Sequence, residues 1–325
     1  MSSSATPGDR PAEPKIERSL TLHLRGDGGA ADLHRVCGWI AEELADRCGP
    51  RTRIATWNGP GRSDAVRAVG RGEVQVALAA PAAFTVVALE GSGVYADESY
   101  PDLRAVGVVP RRNRLVVAVH RDLGIAAFAE LRERKPALRL ATSLNDGEHH
   151  VGLAAHEVLT RSGVDVIGWG GELLENERPF ESLAHVKEGR ANAVVQETVM
   201  LPQRQEIGRD LNFLEIEEDV LTGLYEDFCW PAATMADDCL PGRGGLRTLD
   251  LSDFLVLTRA DLAGDVAYAV AWILGERRHV LDGRHHHPDP ERGPVTGPVD
   301  PAAMGRTPVP LHTGAARYYR ALPAS

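Results

Sequence analysis

The sequence has few cysteines, and none of them forms a pair typical of a metal site or a disulfide framework. Four occur in 325 residues, at Cys37, Cys48, Cys229 and Cys239, and no two have the CxxC spacing. A chain of this length can bury a sizeable core without disulfides and is long enough for two domains. The cysteines therefore indicate a reduced compartment with buried thiols.

Excess positive charge and long hydrophobic runs are also missing. The formal net charge is −10 and the basic residues are scattered, which argues against a nucleic-acid partner and against binding to a membrane surface. No run of about 18 apolar residues occurs, so we expect no membrane insertion.

Residues 1–18 are polar, rich in serine and proline, and lack the apolar core of a signal peptide. We expect a disordered tail over residues 1–18 and a cytoplasmic protein. A periplasmic or extracellular location is expected only if the start of the chain is mis-assigned.

No motif for a metal or a cofactor is complete, and we expect neither. The HExxH spacing and cysteine pairs are absent, and the histidines at 285–287 lie in a proline-rich stretch typical of an exposed loop. Gly26, Gly28 and Ala31 fit a dinucleotide-binding turn formally. That function requires a carboxylate at the end of the next strand, where Trp57-Asn58 provides none.

Residues 20–46 predict a strand, a glycine turn and a helix. Leu20, Leu22 and Leu24 alternate with polar residues, as in a half-buried strand. Gly26, Gly28 and Gly29 follow, and Asp32 lies near the start of an amphipathic helix. The segment is either an ordinary turn of an α/β domain or a turn that holds a carboxylate or phosphate at a helix N-terminus.

Strands and helices then alternate along the chain, which predicts an α/β fold with mainly parallel sheets flanked by helices. Predicted strands cover residues 51–57, 73–80, 103–109, 114–120, 138–143, 165–169, 191–197 and 251–258. Residues 282–310 hold many prolines and are predicted to be a surface loop, and residues 314–322 form a last short helix.

Several segments in this order resemble the TAXI-type solute-binding proteins of TRAP transporters. They include LTLHLRGDGGAADLHRVCGWIAEELA, RGEVQVALAAPAAF and RLATSLNDGEHHVGLAAHEVLTRSGV. The closing PLHTGAARYYRAL is the most specific, because the family often ends in a similar helix with paired tyrosines. The resemblance covers nearly all of residues 20–322.

The resemblance implies a two-lobed, type II periplasmic-binding-protein-like fold. Lobe 1 would comprise residues 19–112 and 252–325, with the loop 282–310 inside it, and lobe 2 residues 113–251. A small carboxylate would bind in the cleft. The implied ligand-binding residues are Asp27, Gly28, Gly29, Trp57, Asn58, Pro81, Arg112, Asn113, Ser143, Asn145, Gly147 and Glu148.

Three arginines, Arg111, Arg112 and Arg114, flank the implied crossover between the lobes. One guanidinium there could hold a ligand carboxylate through two hydrogen bonds, and we expect at most one of the three to face inward. Trp57 and Trp230 are either walls of a pocket or core residues.

Two functions remain open. One is a cytoplasmic relative of the solute receptors that binds a small carboxylate without chemistry, and for it a transporter partner is doubtful without an export signal. The other is a lyase on the same fold, a decarboxylase or dehydratase. In the lyase, His149 or His150 would act as acid or base, assisted by Glu197 or Glu148; the alternative for these histidines is a solvated helix start.

Overall fold

The computed structural model describes residues 11–26, 32–59, 63–96, 98–198, 210–235, 245–284 and 300–323. Within these ranges the strands are β1 (Thr21–Arg25), β2 (Arg53–Trp57), β3 (Val76–Ala79), β4 (Leu103–Val109), β5 (Leu115–His120), β6 (Arg139–Ser143), β7 (Glu172–Asn176), β8 (Ala193–Glu197), β9 (Leu211–Leu214), β10 (Ala232–Thr234), β11 (Arg247–Leu249) and β12 (Phe254–Arg259).

The α-helices in the same ranges are α1 (Asp32–Ala45), α2 (Asp64–Gly70), α3 (Phe128–Arg134), α4 (His150–Arg161), α5 (Pro179–Lys187), α6 (Glu218–Phe228), α7 (Gly264–Glu276), α8 (Arg278–Arg284), α9 (Pro301–Met304) and α10 (Thr313–Arg320). Short 3-10 helices span Ala82–Ala88, Gly93–Tyr95 and Arg121–Leu123. No described helix is both long and apolar enough to cross a bilayer.

The chain divides into two compact units. Unit 1 is Met1–Arg111 with Asp253–Ser325, and unit 2 is Arg112–Ser252. The divisions lie one residue from the lobe limits expected from sequence. Each unit contains a five-stranded sheet, and unit 2 also has the antiparallel pair β10–β11.

The two sheets share one topology. In unit 1 the order is β2-β1-β3-β12-β4, with β1, β2 and β3 parallel and β12 antiparallel to both neighbours. In unit 2 the order is β7-β6-β8-β5-β9, with β6, β7 and β8 parallel and β5 antiparallel to both neighbours. The antiparallel strand is in each case the first strand after the chain enters or re-enters that unit.

The opening segment folds as its pattern predicts. Leu22 and Leu24 of β1 are buried with the apolar face of α1, whereas Thr21 on the other face is exposed. β3 is buried on both faces and lies inside the sheet, which explains its continuous apolar sequence.

Three sequence predictions are wrong. Residues 165–169 form a turn, not a strand, because a carboxylate oxygen of Asp165 accepts from Gly168 N at 2.8 Å; the strand is β7. The predicted surface loop 282–310 begins inside α8, and Met304 and Val309 are buried. The predicted disorder does not extend through residue 18, since Ile16 is buried and bridges Cys48. Residues 1–10 and 285–299 lie outside the described residues.

The paired tyrosines of α10 pack where glycines leave room for them. A Cβ on Gly275 of α7 would overlap the hydroxyl of Tyr318, and one on Gly107 of β4 would overlap the hydroxyl of Tyr319. Tyr318 also donates to Glu276 at 3.1 Å. These glycines allow α10 to pack closely against α7 and β4.

Replacing Gly275 by alanine should therefore destabilise the protein, even though alanine favours a helix. Overpacking costs about 1–3 kcal/mol, against a helix-propensity gain of about 1 kcal/mol. Gly283 of α8 is the matched control, because nothing lies within 4 Å of its hypothetical Cβ. Urea unfolding should show a loss for Gly275→Ala and none for Gly283→Ala; equal effects would contradict the packing argument.

Candidate functional site

The parallel strands of unit 1 end at one edge of its sheet, here called the carboxyl edge of unit 1 and defined by Arg25, Trp57 and Ala79. The predicted ligand residue Asn58 follows Trp57 directly and is exposed, and the predicted ligand residue Pro81 comes two residues after Ala79 and is buried. Asp27, Gly28 and Gly29 lie outside the described residues.

Trp57 is not a core residue, since 51% of it is exposed, whereas Trp230 is buried. The indole N–H of Trp57 donates to His23 Nδ1 at 2.8 Å. This bond fixes the orientation of an aromatic ring that is half in solvent, at the end of the edge strand β2.

A buried arginine lies at the same edge. Arg111 follows β4, and its guanidinium forms an ion pair with Asp32, the first residue of α1, at 2.6 Å. The guanidinium also lies 5.3 Å from the ring centroid of Phe254. In unit 1 the positively charged guanidinium of Arg111 thus lies beside the N-terminus of the 14-residue helix α1.

Asp253 holds Arg111 in place. The N–H of Asp253 donates to Arg111 O at 2.8 Å, and its side-chain oxygen accepts from the N–H of Arg111 at 2.9 Å. Its carbonyl accepts from Ala82 N at 3.1 Å, directly after Pro81. Asp253 has a φ of 69°, a left-handed conformation in which aspartate is enriched among non-glycine residues.

The other two arginines of the crossover lie in unit 2. Arg112, the predicted ligand contact, is exposed, while the guanidinium of Arg114 pairs with Asp250 at 2.6 Å and donates to Ser252. The buried guanidinium of the three is therefore that of Arg111, which the sequence did not single out.

Asn113 is buried and organises the end of β8. Its amide donates to Glu197, and its carbonyl oxygen accepts from Arg114 N at 3.0 Å and from Thr198 Oγ1 at 3.2 Å. Glu197, the candidate catalytic carboxylate, is the last residue of β8 and accepts from the Asn113 amide; its catalytic role stays a prediction.

Unit 2 contains a buried polar network around the predicted ligand residue Ser143, whose other members were not predicted from sequence. Gln196 of β8 donates to Ser143 of β6 at 3.1 Å and to Ser182 of α5 at 3.3 Å. The amide nitrogen of Asn176 in β7 donates to Ser182 at 3.3 Å, and its amide oxygen lies 3.0 Å from His185 Nε2, from which it can accept. The sequence signal for this network was a polar residue at or next to the end of each strand: Ser143 in β6, Asn176 in β7 and Gln196 in β8.

The turn before α4 is closed by its own aspartate. One carboxylate oxygen of Asp146 accepts from the N–H groups of Glu148 at 2.9 Å and His149 at 3.1 Å, and lies 3.0 Å from His149 Nδ1. Asn145 is exposed, Gly147 has a φ of 79°, and His150 is the buried first residue of α4. Two N–H groups that a ligand carboxylate would need are thus already occupied.

These bonds also change the acidity of Asp146. Burial raises the pKa of its carboxyl, but the hydrogen bonds from Glu148 and His149 outweigh burial and lower the pKa to about 2. Because the folded-state pKa lies below the unfolded one, the carboxylate stabilises the fold above pH ~4, and this contribution is lost as the pH falls towards 2.

Replacement of Asp146 by asparagine keeps an acceptor and removes the charge. After discounting for solvent, we expect the variant to be about 1 kcal/mol less stable than the natural protein at pH 7. The difference should shrink as the pH is lowered from 4. Urea unfolding at several pH values measures it, and a difference that does not change with pH would contradict the assignment.

The comparisons with known proteins agree with this architecture. A model of the NMT1-like family matches residues 35–321. MatC from Rhodopseudomonas palustris, solved with bound malate, superposes with a TM-score of 0.53 at 13% identity, covering 94% of this chain and 99% of that one. A TctC solute binding protein from Polaromonas, solved without ligand, gives 0.52 at 13% identity, with 93% and 97% covered.

A structure described as a periplasmic transporter gives a TM-score of 0.52 at 11% identity, covering 93% of each chain. At such identities the similarity establishes the fold, which is the two-lobed, periplasmic-binding-protein-like α/β fold. No curated protein sequence matches the chain. Since the family model spans most of its length, the chain belongs to the NMT1-like family.

Proposed function

We propose that this protein is a solute-binding protein of the TAXI type that binds a small carboxylate-bearing molecule. The observation that carries the proposal is the buried guanidinium of Arg111 beside the N-terminus of α1. MatC, which shares the fold, was solved with malate, a small carboxylate. The cytoplasmic location and the doubt about a transporter partner stay predictions.

Arg111 suits an anionic ligand because a guanidinium has five N–H donors in a planar fork. One terminal nitrogen contacts Asp32, and the ring of Phe254 lies near the guanidinium. The ion pair with Asp32 reduces the cost of burying the charge. The backbone bonds to Asp253 fix the position of Arg111 before any ligand arrives.

We assign the principal contact with the ligand carboxylate to Arg111 of unit 1, because the turn before α4 in unit 2 is less suited to bind an anion. Asp146 places a negative charge at the start of α4 and occupies the N–H groups of Glu148 and His149. A second carboxylate there would meet like charge. The predicted ligand contacts of Ser143, Asn145, Gly147 and Glu148 in this turn stay predictions.

A pair of neighbouring substitutions tests the proposal. The natural protein, Arg111→Gln and the exposed control Arg112→Gln are screened by thermal shift against a panel of small carboxylates. Each hit is then followed by calorimetric titration. Because hydrogen bonds to a charged group contribute about 1.5–3 kcal/mol, Arg111→Gln should weaken binding at least tenfold.

Arg112→Gln should bind like the natural protein. Shifts are taken relative to the ligand-free melting temperature of each variant, so that a loss of stability from unpaired Asp32 is not counted as lost binding. Equal affinity for all three proteins, or a loss confined to Arg112→Gln, would refute the role of Arg111.

A lyase is the second candidate, and one contact favours it. His149 Nδ1 lies 3.0 Å from the Asp146 carboxylate, an arrangement that can orient an imidazole for proton transfer. The sequence prediction of His149, His150 and Glu197 as acid–base residues stays a prediction.

Mass analysis of each binding carboxylate after long incubation distinguishes the two functions. A receptor leaves the compound unchanged, whereas a lyase yields the decarboxylated or dehydrated product. Product formation that His149→Gln abolishes would establish the enzyme. No turnover of any bound compound would leave binding as the function.

A further inference from the structure

The outer edge of unit 2 presents an open strand flanked by exposed apolar side chains. Strand β7 lies at the end of the unit 2 sheet, and among the described residues no strand pairs with its outer side. Five large hydrophobic side chains are exposed in the described chain, and three of them fall in residues 167–180. These are Ile167 at 61%, Leu173 at 39% and Phe180 at 59%.

We propose that β7 is a docking edge for a partner protein, which adds an extended segment of alternating basic and apolar residues as a sixth strand. The docking edge is defined as residues 165–181. An edge strand offers unpaired N–H and C=O groups in a row, and main-chain pairing to such an edge is a common mode of peptide recognition.

The side chains of β7 alternate between the two faces that an added strand would continue. Leu173 and Leu174 are neighbours in β7 and therefore point to opposite faces of the sheet. Leu173 is opposite Leu140 of β6 in register, and Leu174 is opposite Ala141. An added strand would continue both faces, so that its apolar side chains could cover Leu173.

Charge identifies the partner. Residues 165–181 contain five carboxylates, those of Asp165, Glu172, Glu175, Glu177 and Glu181, and a single basic side chain, that of Arg178. Glu172 and Glu175 lie within β7 itself and are exposed. Opposite charges on paired strands stabilise the pairing and like charges oppose it, so the edge favours a segment rich in lysine or arginine.

The same charges argue against a second copy of this chain as the occupant. Antiparallel pairing of two β7 strands would bring the glutamates of both copies together. Edge strands of natural proteins are commonly protected by charge in this way. Protection alone does not explain Ile167, Leu173 and Phe180, whose exposed apolar surface is typical of an interaction site.

Hydrogen–deuterium exchange of the full chain tests the proposal. The probes are three synthetic peptides of about ten residues: lysine alternating with valine, the same charge interrupted by prolines, and glutamate alternating with valine. A saturating amount of the first should slow exchange in residues 172–176 at least tenfold. The proline-interrupted peptide cannot form a ladder of backbone hydrogen bonds, so it should not slow exchange in these residues. The acidic peptide should be repelled by the glutamates and should not slow exchange either.

Glu172→Lys should weaken the protection by the basic peptide about tenfold. Glu226→Lys is the control, since Glu226 is exposed on α6 with the same charge. Equal protection by the proline-interrupted peptide would reduce the effect to nonspecific attraction and overturn the proposal. Three further results would overturn the proposal. They are slowed exchange only outside residues 172–176, no slowed exchange at millimolar basic peptide, and a self-association of the protein that Glu172→Lys abolishes.

Discussion

Three backbone and side-chain hydrogen bonds of Asp253 guide how the chain re-enters unit 1. Its N–H and carboxylate bind the backbone of Arg111, the last residue of the outgoing segment, and its carbonyl binds Ala82 after β3. With both segments fixed, Phe254 pairs with Val109 and β12 enters the sheet between β3 and β4. The same bonds fix the backbone of Arg111, and the contacts with Asp32 and the ring of Phe254 then position its guanidinium.

Among the described residues of unit 1, the buried charged side chains Glu43, Arg47 and Arg111 each have an oppositely charged partner, and the two clusters differ in position. Glu43 of α1 is buried between Arg47 at 2.9 Å and Arg277 at 2.7 Å. Arg47 follows the end of α1 and Arg277 follows the end of α7, so this cluster joins the ends of two helices, which is a structural role. Arg111 and Asp32 instead lie where strands end and a helix begins, and ligands of open α/β sheets bind at such edges.

The periodicity of apolar residues in the sequence predicts those strands and helices whose side chains are buried in the core. β1, α1 and β3 follow from the alternating and continuous apolar patterns of residues 20–46 and 73–80, and the fold class follows from the order of strands and helices. The site was less accessible to this reasoning. Neither the burial of Arg111 in preference to Arg112 nor the closure of the turn before α4 by Asp146 has a periodic signal. The first depends on a bond between Arg111 and Asp253, which are far apart in the sequence, and the second on local turn bonds rather than on an apolar pattern.

Trp57 gives the carboxyl edge of unit 1 a built-in optical reporter. Its indole is half in solvent while its N–H is tied to His23, so its emission is expected at longer wavelength than that of the buried Trp39, Trp230 and Trp272. A solute that covers the ring changes the environment of this fluorophore. Events at the edge can therefore be followed by intrinsic fluorescence in the unlabelled protein.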